Sequence, residues 1–161
     1  MSDFASEVEA LANALQSRGA MVATAESCTG GMIAAACTDR AGSSAWFERG
    51  FVTYSNAAKM AMLGVPETTL AAYGAVSQQT AEAMAQGALA HSGVDVTVAI
   101  TGVAGPGGGS AEKPVGLVQF AAAAKDGRMV HREKRYGDIG RLEVRRLSVI
   151  EALRMLLELA G

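Results

Sequence analysis

Residues 22–33 constrain the fold more than any other part of the chain, because an apolar segment runs there directly into a turn rich in glycine and hydroxyl groups. This pattern is typical of a buried strand that leads into a helix, with Ser27 at the bend. Backbone N–H groups at the start of a helix lack intrahelical partners and point into such a turn. We therefore expect Thr29, Gly30 and Gly31 to offer hydrogen-bond donors to a phosphate or an oxyanion. Beside such donors Ser27 is a candidate nucleophile, and what it lacks is a base.

The composition is that of one ordinary globular domain. Half of the 161 residues are hydrophobic, the net charge is −2, and no lysine-rich run is present, which disfavours nonspecific binding to nucleic acid. Cys28 and Cys37 lack the spacing of a disulfide framework or a zinc site. The acidic amino terminus does not resemble a signal peptide, and no segment is apolar enough to cross a membrane. We expect a single cytoplasmic domain over residues 1–161, with free thiols and with no metal or cofactor.

Periodicity and turn residues divide the chain into alternating helices and strands. Helices are predicted over residues 5–17, 32–37, 57–63, 79–91 and 142–159, and strands over residues 21–25, 47–54, 94–100, 115–123 and 129–136. The last two strands flank Asp126-Gly127, a dipeptide typical of hairpin turns. This order predicts an α/β fold, a three-layer α/β/α sandwich with a mixed central sheet. Ligands of such sheets bind beyond the carboxyl ends of strands, where Ser27, Tyr54 and Thr101 all fall.

The search for a base leads to lysine. One of the two histidines closes a predicted helix and the other lies within the hairpin, so neither is well placed beside Ser27. Two of the four lysines belong to the hairpin region, which leaves Lys59 and Lys113. Lys59 fits better, because the first turn of a helix and apolar neighbours both lower the pKa of an amine. Tyr54, at the end of the preceding strand, could hydrogen-bond the serine or the amine and relay the proton.

Simpler interpretations stand beside these. A serine at a strand-to-helix turn is usually a helix cap. Lys59 could be a solvated helix residue, and Tyr54 could cover the edge of the core.

Arg141 and Arg145 lie four residues apart at the start of the last predicted helix and share a face, so they could hold a phosphate. The alternative is a solvated basic face that pairs with Glu143, and both interpretations stay open.

Several long motifs resemble the CinA C-terminal domain family over nearly the whole chain. The motifs are Ala-Glu-Ser-Cys-Thr-Gly-Gly at residues 25–31, Ala-Gly-Ser-Ser-Ala-Trp-Phe-Glu-Arg-Gly-Phe-Val-Thr-Tyr-Ser-Asn at residues 41–56, Gly-Ala-Val-Ser at residues 74–77, Thr-Gly-Val-Ala-Gly-Pro-Gly-Gly-Gly at residues 101–109 and Lys-Pro-Val-Gly at residues 113–116. The resemblance implies a nicotinamide-nucleotide amidase. Its substrate would be nicotinamide mononucleotide, hydrolysed to nicotinate mononucleotide and ammonia.

The same resemblance implies roles for individual residues. Ser27 would be the nucleophile and Lys59 the general base, with Tyr54 assisting, and no metal or cofactor would take part. The substrate-binding residues would be Thr29, Gly30 and Gly31 as oxyanion donors, Ser44, Thr101, Gly102, Ala104 and Gly105 along the nicotinamide and ribose, and Arg141 or Arg145 at the 5′-phosphate.

Two other functions remain open from the sequence. One is a module that binds a pyridine nucleotide without catalysis, in a regulatory role linked to competence or DNA damage, and the presence of both Ser27 and Lys59 favours the enzyme over it. The other is hydrolysis of a different amide or ester. The resemblance also implies a homo-oligomer, for which Trp46, Phe47 and Phe51, if exposed, would supply a self-association surface.

Overall fold

Between two layers of helices lies a sheet of five strands, in a computed structural model that describes residues 2–161. The helices are α1 (Ala5–Arg18), α2 (Met32–Thr38), α3 (Asn56–Leu63), α4 (Glu67–Tyr73), α5 (Gln78–Ser92) and α6 (Arg141–Ala160). The strands are β1 (Val22–Glu26), β2 (Phe47–Val52), β3 (Val96–Gly102), β4 (Leu117–Ala124) and β5 (Met129–Arg135). The predicted three-layer sandwich is confirmed.

The sheet is mixed, as predicted, with the strand order β2-β1-β3-β4-β5. β1 is parallel to β2 and β3, whereas β4 is antiparallel to β3 and β5. Parallel strands end at the same edge of a sheet. The carboxyl ends of β1, β2 and β3 therefore meet at one edge, where Ser27 and Tyr54 follow their strands and Thr101 lies at the end of β3.

Each face of the sheet has its own apolar core. On one face α1, α2 and α6 cover residues such as Val22, Val98 and Phe120, and on the other α5 packs on a row of alanines. The small side chains let α5 lie close to the strands. α3 lies equally close to α5, since a Cβ at Gly87 would overlap the carbonyl group of Leu63.

Helix α4 is missing from the sequence-based prediction. It begins after Pro66 and ends at Gly74, and none of its residues is buried. Its one large aliphatic residue, Leu70, is partly buried against the core beside α5, and one such residue makes no apolar periodicity to find. The other predicted elements agree with the structure to within about two residues at each end, which is the usual uncertainty of helix and strand boundaries.

The expected self-association surface is wrong. Trp46 is fully buried and Phe51 is 9% exposed, while Phe47 is half-buried and meets the Trp46 ring edge to face. Trp46 lies in the core beneath α1 and α2 because the chain enters β2 there. The homo-oligomer stays a prediction without this support.

Cys28 and Cys37 are buried free thiols, as predicted. None of the helices within residues 2–161 combines the length and apolar character needed to cross a bilayer.

Candidate active site

A cavity of about 290 Å³ opens at the carboxyl ends of β1, β2 and β3. It lies where the polar strand ends were predicted to meet. Its walls come from these strand ends, the connection between α4 and α5, the glycine-rich loop after β3 and the start of α6. The lining residues are Ser27, Cys28, Tyr54, Lys59, Ala75, Val76, Thr101, Gly102, Val103, Ala104, Gly105, Gly107, Gly108 and Arg141.

Ser27 and Lys59 are in direct contact at the base of this cavity. The Lys59 Nζ atom lies 3.0 Å from Ser27 Oγ, and Lys59 is 1% exposed. Nζ also donates to the backbone oxygens of Thr53, at 2.9 Å, and Tyr54, at 3.2 Å. Helix α3 holds Lys59 in place, and its start is capped by Ser55, whose side chain accepts from the Ala58 amide. The pairing that the sequence predicts for these two residues is thus present.

The surroundings of Lys59 favour a neutral amine. Burial lowers the pKa of Lys59 from its ordinary value, and among residues 2–161 no carboxylate forms an ion pair with it. A neutral amine has two N–H bonds and one lone pair. In the deprotonated form, N–H groups directed at the carbonyls of Thr53 and Tyr54 would leave the lone pair for the hydroxyl hydrogen of Ser27. This is the arrangement that a general base requires.

The neighbouring thiol of Cys28 is the less suitable nucleophile. Burial raises the pKa of Cys28 to about 12. A thiol with so high a pKa stays protonated near neutral pH, whereas the thiolate is the reactive form. Of the two neighbouring side chains, the Ser27 hydroxyl is therefore the better candidate nucleophile.

The carboxylate of Glu26 accepts hydrogen bonds from the amides at the start of α2, where the sequence predicts a bound anion. The sequence-based prediction did not include this residue. Glu26, the last residue of β1, is fully buried. Its Oε1 accepts from the amides of Gly31, at 3.2 Å, and Ile33, at 3.0 Å, and from the Thr29 hydroxyl at 2.6 Å. Its Oε2 accepts from the Ala34 amide at 3.0 Å. The available signal was an acidic residue just before a helix whose N-cap position is a glycine without a capping side chain.

This carboxylate corrects the expected set of oxyanion donors. The Gly31 amide donates to Glu26, and the Gly30 amide donates to the backbone oxygen of Ser27 at 3.0 Å. The expectation that both glycines present free donors to a ligand is wrong, because the turn uses these amides internally. Thr29 is fully buried and does not line the cavity. Cys28, the residue directly after Ser27, does line it.

Arg141 and Arg145 have different positions, although both lie on the first turns of α6. Arg141 lines the cavity and donates to the Gly105 oxygen and the Tyr54 hydroxyl, each at 2.9 Å. Arg145 does not line it and donates to the backbone oxygens of Cys28, at 3.1 Å, and Thr29, at 3.3 Å. The ion pair with Glu143, which the alternative interpretation expects, is made by their neighbour Arg146 instead.

Tyr54 takes part through two separate groups. Its backbone oxygen accepts from Lys59, while its side chain is 62% exposed and its hydroxyl accepts from Arg141. The phenol lies at the mouth of the cavity, and within residues 2–161 it makes no hydrogen bond to Ser27 or Lys59. The relay expected of it remains a prediction.

Of the remaining residues predicted to bind substrate, four line the cavity and Ser44 does not. Thr101, Gly102, Ala104 and Gly105 line the cavity, and the Thr101 hydroxyl donates to the Ala75 oxygen at 2.8 Å. The expectation for Ser44 is wrong. This exposed residue precedes β2 and so lies at the opposite edge of the sheet from Ser27.

Lys113, the alternative base, does not line the cavity and donates to the Tyr73 oxygen at 2.5 Å. Among the described residues 2–161, no group of three or more His, Cys, Asp or Glu side chains is arranged to hold a metal ion.

Comparison with known proteins places this chain in a family. The family model described as CinA C-terminal domain matches residues 5–160. The chain belongs to the CinA C-terminal domain family. Relatives named nicotinamide-nucleotide amidohydrolase PncC include one from Enterobacter agglomerans, 56% identical over 88% of this chain and 88% of the relative, and one from Escherichia coli K12, 55% identical over 92% of this chain and 89% of the relative.

The solved structures that resemble this CinA domain have the same fold. The competence/damage inducible protein CihA from Agrobacterium tumefaciens superposes with a TM-score of 0.91 at 57% identity, over 96% of each chain.

Proposed function

We propose that this chain hydrolyses the carboxamide of nicotinamide mononucleotide to nicotinate mononucleotide and ammonia. The observation that carries the proposal is the buried Lys59 amine, 3.0 Å from Ser27 Oγ at the base of a cavity that Arg141 also lines. The similarity to relatives named nicotinamide-nucleotide amidohydrolase, at 55–56% identity over most of both chains, supports the choice of substrate.

The cavity suits a mononucleotide better than a dinucleotide. Its volume of about 290 Å³ lies at the small end of the range for ligand pockets. Arg141 lines the cavity, and a guanidinium binds a phosphate through paired N–H groups. We assign the 5′-phosphate to Arg141 rather than Arg145, whose guanidinium is bonded to the turn after Ser27.

The first half of the reaction forms an acyl-enzyme. The neutral amine of Lys59 takes the hydroxyl proton of Ser27 while Oγ attacks the carboxamide carbon. The tetrahedral oxyanion is held by the amide of Cys28, because the residue after a nucleophile at a strand-to-helix turn commonly supplies such a donor. The C–N bond then breaks, and the leaving nitrogen receives the proton from the Lys59 ammonium and departs as ammonia.

The second half repeats these steps with water. Lys59, neutral again, takes a proton from a water molecule that attacks the ester carbon, and the Ser27–acyl bond breaks as Oγ recovers its proton from Lys59. The products are the free enzyme and the carboxylic acid. Every proton passes through Lys59, so the mechanism needs no further base.

The direct test is ammonia release from nicotinamide mononucleotide by the purified protein and by the Ser27→Ala variant. The matched control is Ser148→Ala, which removes the hydroxyl of another buried serine, one that donates within α6. We expect Ser27→Ala to lose at least about 10³-fold in kcat and Ser148→Ala to lose little. Ammonia release by Ser27→Ala at a rate close to that of the unmodified protein would reject the mechanism. Nicotinamide riboside, which lacks the phosphate, tests the substrate assignment in the same assay.

A further inference from the structure

The turn that carries Ser27 is held from two sides by side chains that do not line the cavity. On one side the Glu26 carboxylate accepts from amides and a hydroxyl of the turn and of α2. On the other side the guanidinium of Arg145 donates to the backbone oxygens of Cys28 and Thr29. The Glu26 carboxylate at the end of β1 thus binds donors of the turn, and the Arg145 guanidinium of α6 binds acceptors of the same turn.

Glu26 is an unusual way to cap a helix. A fully buried carboxylate is costly unless its oxygens are hydrogen-bonded, and here four donors surround it. A capping side chain at position 31 would stabilise α2 alone, but that position is Gly31, with a φ of 104° and no side chain. Because the cap comes from β1 instead, it connects the strand end to the helix across the turn that contains Ser27.

The contacts of Arg145 are equally specific to the turn. Gly30 adopts a φ of 58°, and a Cβ there would lie 3.3 Å from Arg145 Nη2. A side chain at this position would crowd the guanidinium as well as strain the backbone. The Ser27 amide completes the arrangement by donating to the Ile100 oxygen of β3 at 3.0 Å.

We propose that Glu26 and Arg145 are positioning residues that orient the turn so that Ser27 Oγ faces Lys59. Neither side chain touches the reacting atoms. Their effect is on the alignment of nucleophile, base and oxyanion donor, in which an error of about 1 Å can cost on the order of 10²-fold in rate. The inference rests on the proposed function for its choice of substrate but not for the reactivity of Ser27.

The positioning role predicts a loss in kcat rather than in substrate affinity. The walls that would hold the substrate come from the loop after β3 and from Arg141, which Glu26 does not contact. A purely structural role for Glu26 would reduce thermal stability without slowing the reaction at temperatures well below unfolding.

A matched pair of threonines separates these two roles. Thr29 and Thr97 are both fully buried and each donates one hydrogen bond from its hydroxyl, Thr29 to Glu26 and Thr97 to the Ala85 oxygen of α5. Thr29→Val and Thr97→Val make the same chemical change near and far from the turn. The stronger variants are Glu26→Gln, which keeps the shape but removes the charge, and Arg145→Met.

Two rates should be measured for each variant. One is steady-state ammonia release from nicotinamide mononucleotide, resolved into kcat and KM, and the other is the labelling of Ser27 by a fluorophosphonate, a general reagent for activated serines. We expect Glu26→Gln and Arg145→Met to lower both kcat and the labelling rate by about 10- to 100-fold, with KM changed by less than about twofold. Thr29→Val should lower them by about 3- to 10-fold and Thr97→Val should leave them unchanged.

The labelling rate keeps this inference separate from the proposed function. If the unmodified protein releases no ammonia but Ser27 is labelled, the substrate assignment fails while the variants still report on the turn. Equal labelling rates for Thr29→Val and Thr97→Val, with both variants folded, would overturn the positioning role. An increase in KM with unchanged kcat in Arg145→Met would also overturn it, since that result indicates contact with substrate.

Discussion

A cavity of about 290 Å³ lies at each end of the sheet, yet the charged groups of the two cavities are arranged very differently. The cavity at the carboxyl ends of β1 and β3 contains Ser27 and Lys59. The other, beside Ala20 and Val96, lies at the amino ends of the same strands and has Arg18, Lys125 and Arg128 among its lining residues. Equal volume therefore says little about function here.

The two arginines at the amino end are explained by structure alone. Arg18 donates to the Ala160 oxygen and Arg128 donates to the Leu159 oxygen at 3.0 Å, so both cap the last carbonyls of α6. Arg128 also pairs with Asp126 at 2.9 Å. By contrast, Lys59 is buried with backbone carbonyls and a hydroxyl as its partners, and across residues 2–161 no carboxylate forms an ion pair with it. The two cavities therefore differ in what their cations do: Arg18 and Arg128 cap a helix, whereas Lys59 is a buried amine in contact with a serine hydroxyl.

The largest effect expected from this contrast is the loss of activity in Lys59→Met. Removal of the base should lower kcat/KM by about 10²- to 10⁴-fold. Lys125→Met makes the same substitution at the other cavity and should leave kcat/KM unchanged. Ammonia release measured for both variants tests the contrast directly, and equal losses in the two would abolish it.

Arg141→Ala should have the next largest effect. Loss of a charge-assisted contact to the phosphate should raise KM for nicotinamide mononucleotide by about 10- to 100-fold, with a smaller change in kcat. KM for nicotinamide riboside should stay nearly constant. A comparable increase in KM in Arg128→Ala would indicate that the amino-end cavity takes part in binding.

The lowered pKa of Lys59 should affect the pH dependence of both the activity and the stability. Below the lowered pKa of Lys59 its amine is protonated, so kcat/KM should rise about tenfold per pH unit as the pH increases towards that pKa. The unfolded chain keeps the ordinary lysine pKa of 10.5 and binds more protons between the two values. The free energy of unfolding should therefore increase with pH across that window. Chemical denaturation at several pH values should show this increase in the unmodified protein and a smaller one in Lys59→Met.

Tyr54→Phe distinguishes the proton relay from a role in holding Arg141. Because the hydroxyl accepts from Arg141, we expect KM to rise by about 2- to 10-fold while kcat and its pH profile stay the same. A fall in kcat with unchanged KM would support the relay instead.

The smallest effect is expected at the amino end of the sheet. Arg128→Ala removes the hydrogen bond to Leu159 and an exposed ion pair, so the free energy of unfolding should fall by about 1 kcal/mol with kcat unchanged. Thermal denaturation and the ammonia assay together measure both quantities. A loss of activity without a loss of stability would contradict the capping role.

The convergence of Ser27 and Lys59 could be predicted because it follows from the order of elements. Once β1 and β2 are parallel neighbours, the segments after them must meet at one edge of the sheet. Trp46 shows the opposite case, since an aromatic residue at a strand start is compatible with either an exposed or a buried side chain. Only the packing of α1 and α2 over that end of the sheet settles its burial.

The order of helices and strands, the mixed sheet and the meeting of Ser27 with Lys59 were determined by the sequence itself, because apolar periodicity and turn residues act over short distances along the chain. Tertiary structure decided which amides of the turn are occupied and which arginine lines the cavity. Arg145 bonds to Cys28 and Thr29, and these contacts join segments more than a hundred residues apart. Hydrogen bonds depend on distance and angle to within fractions of an ångström, and no local pattern encodes such a relation between distant segments.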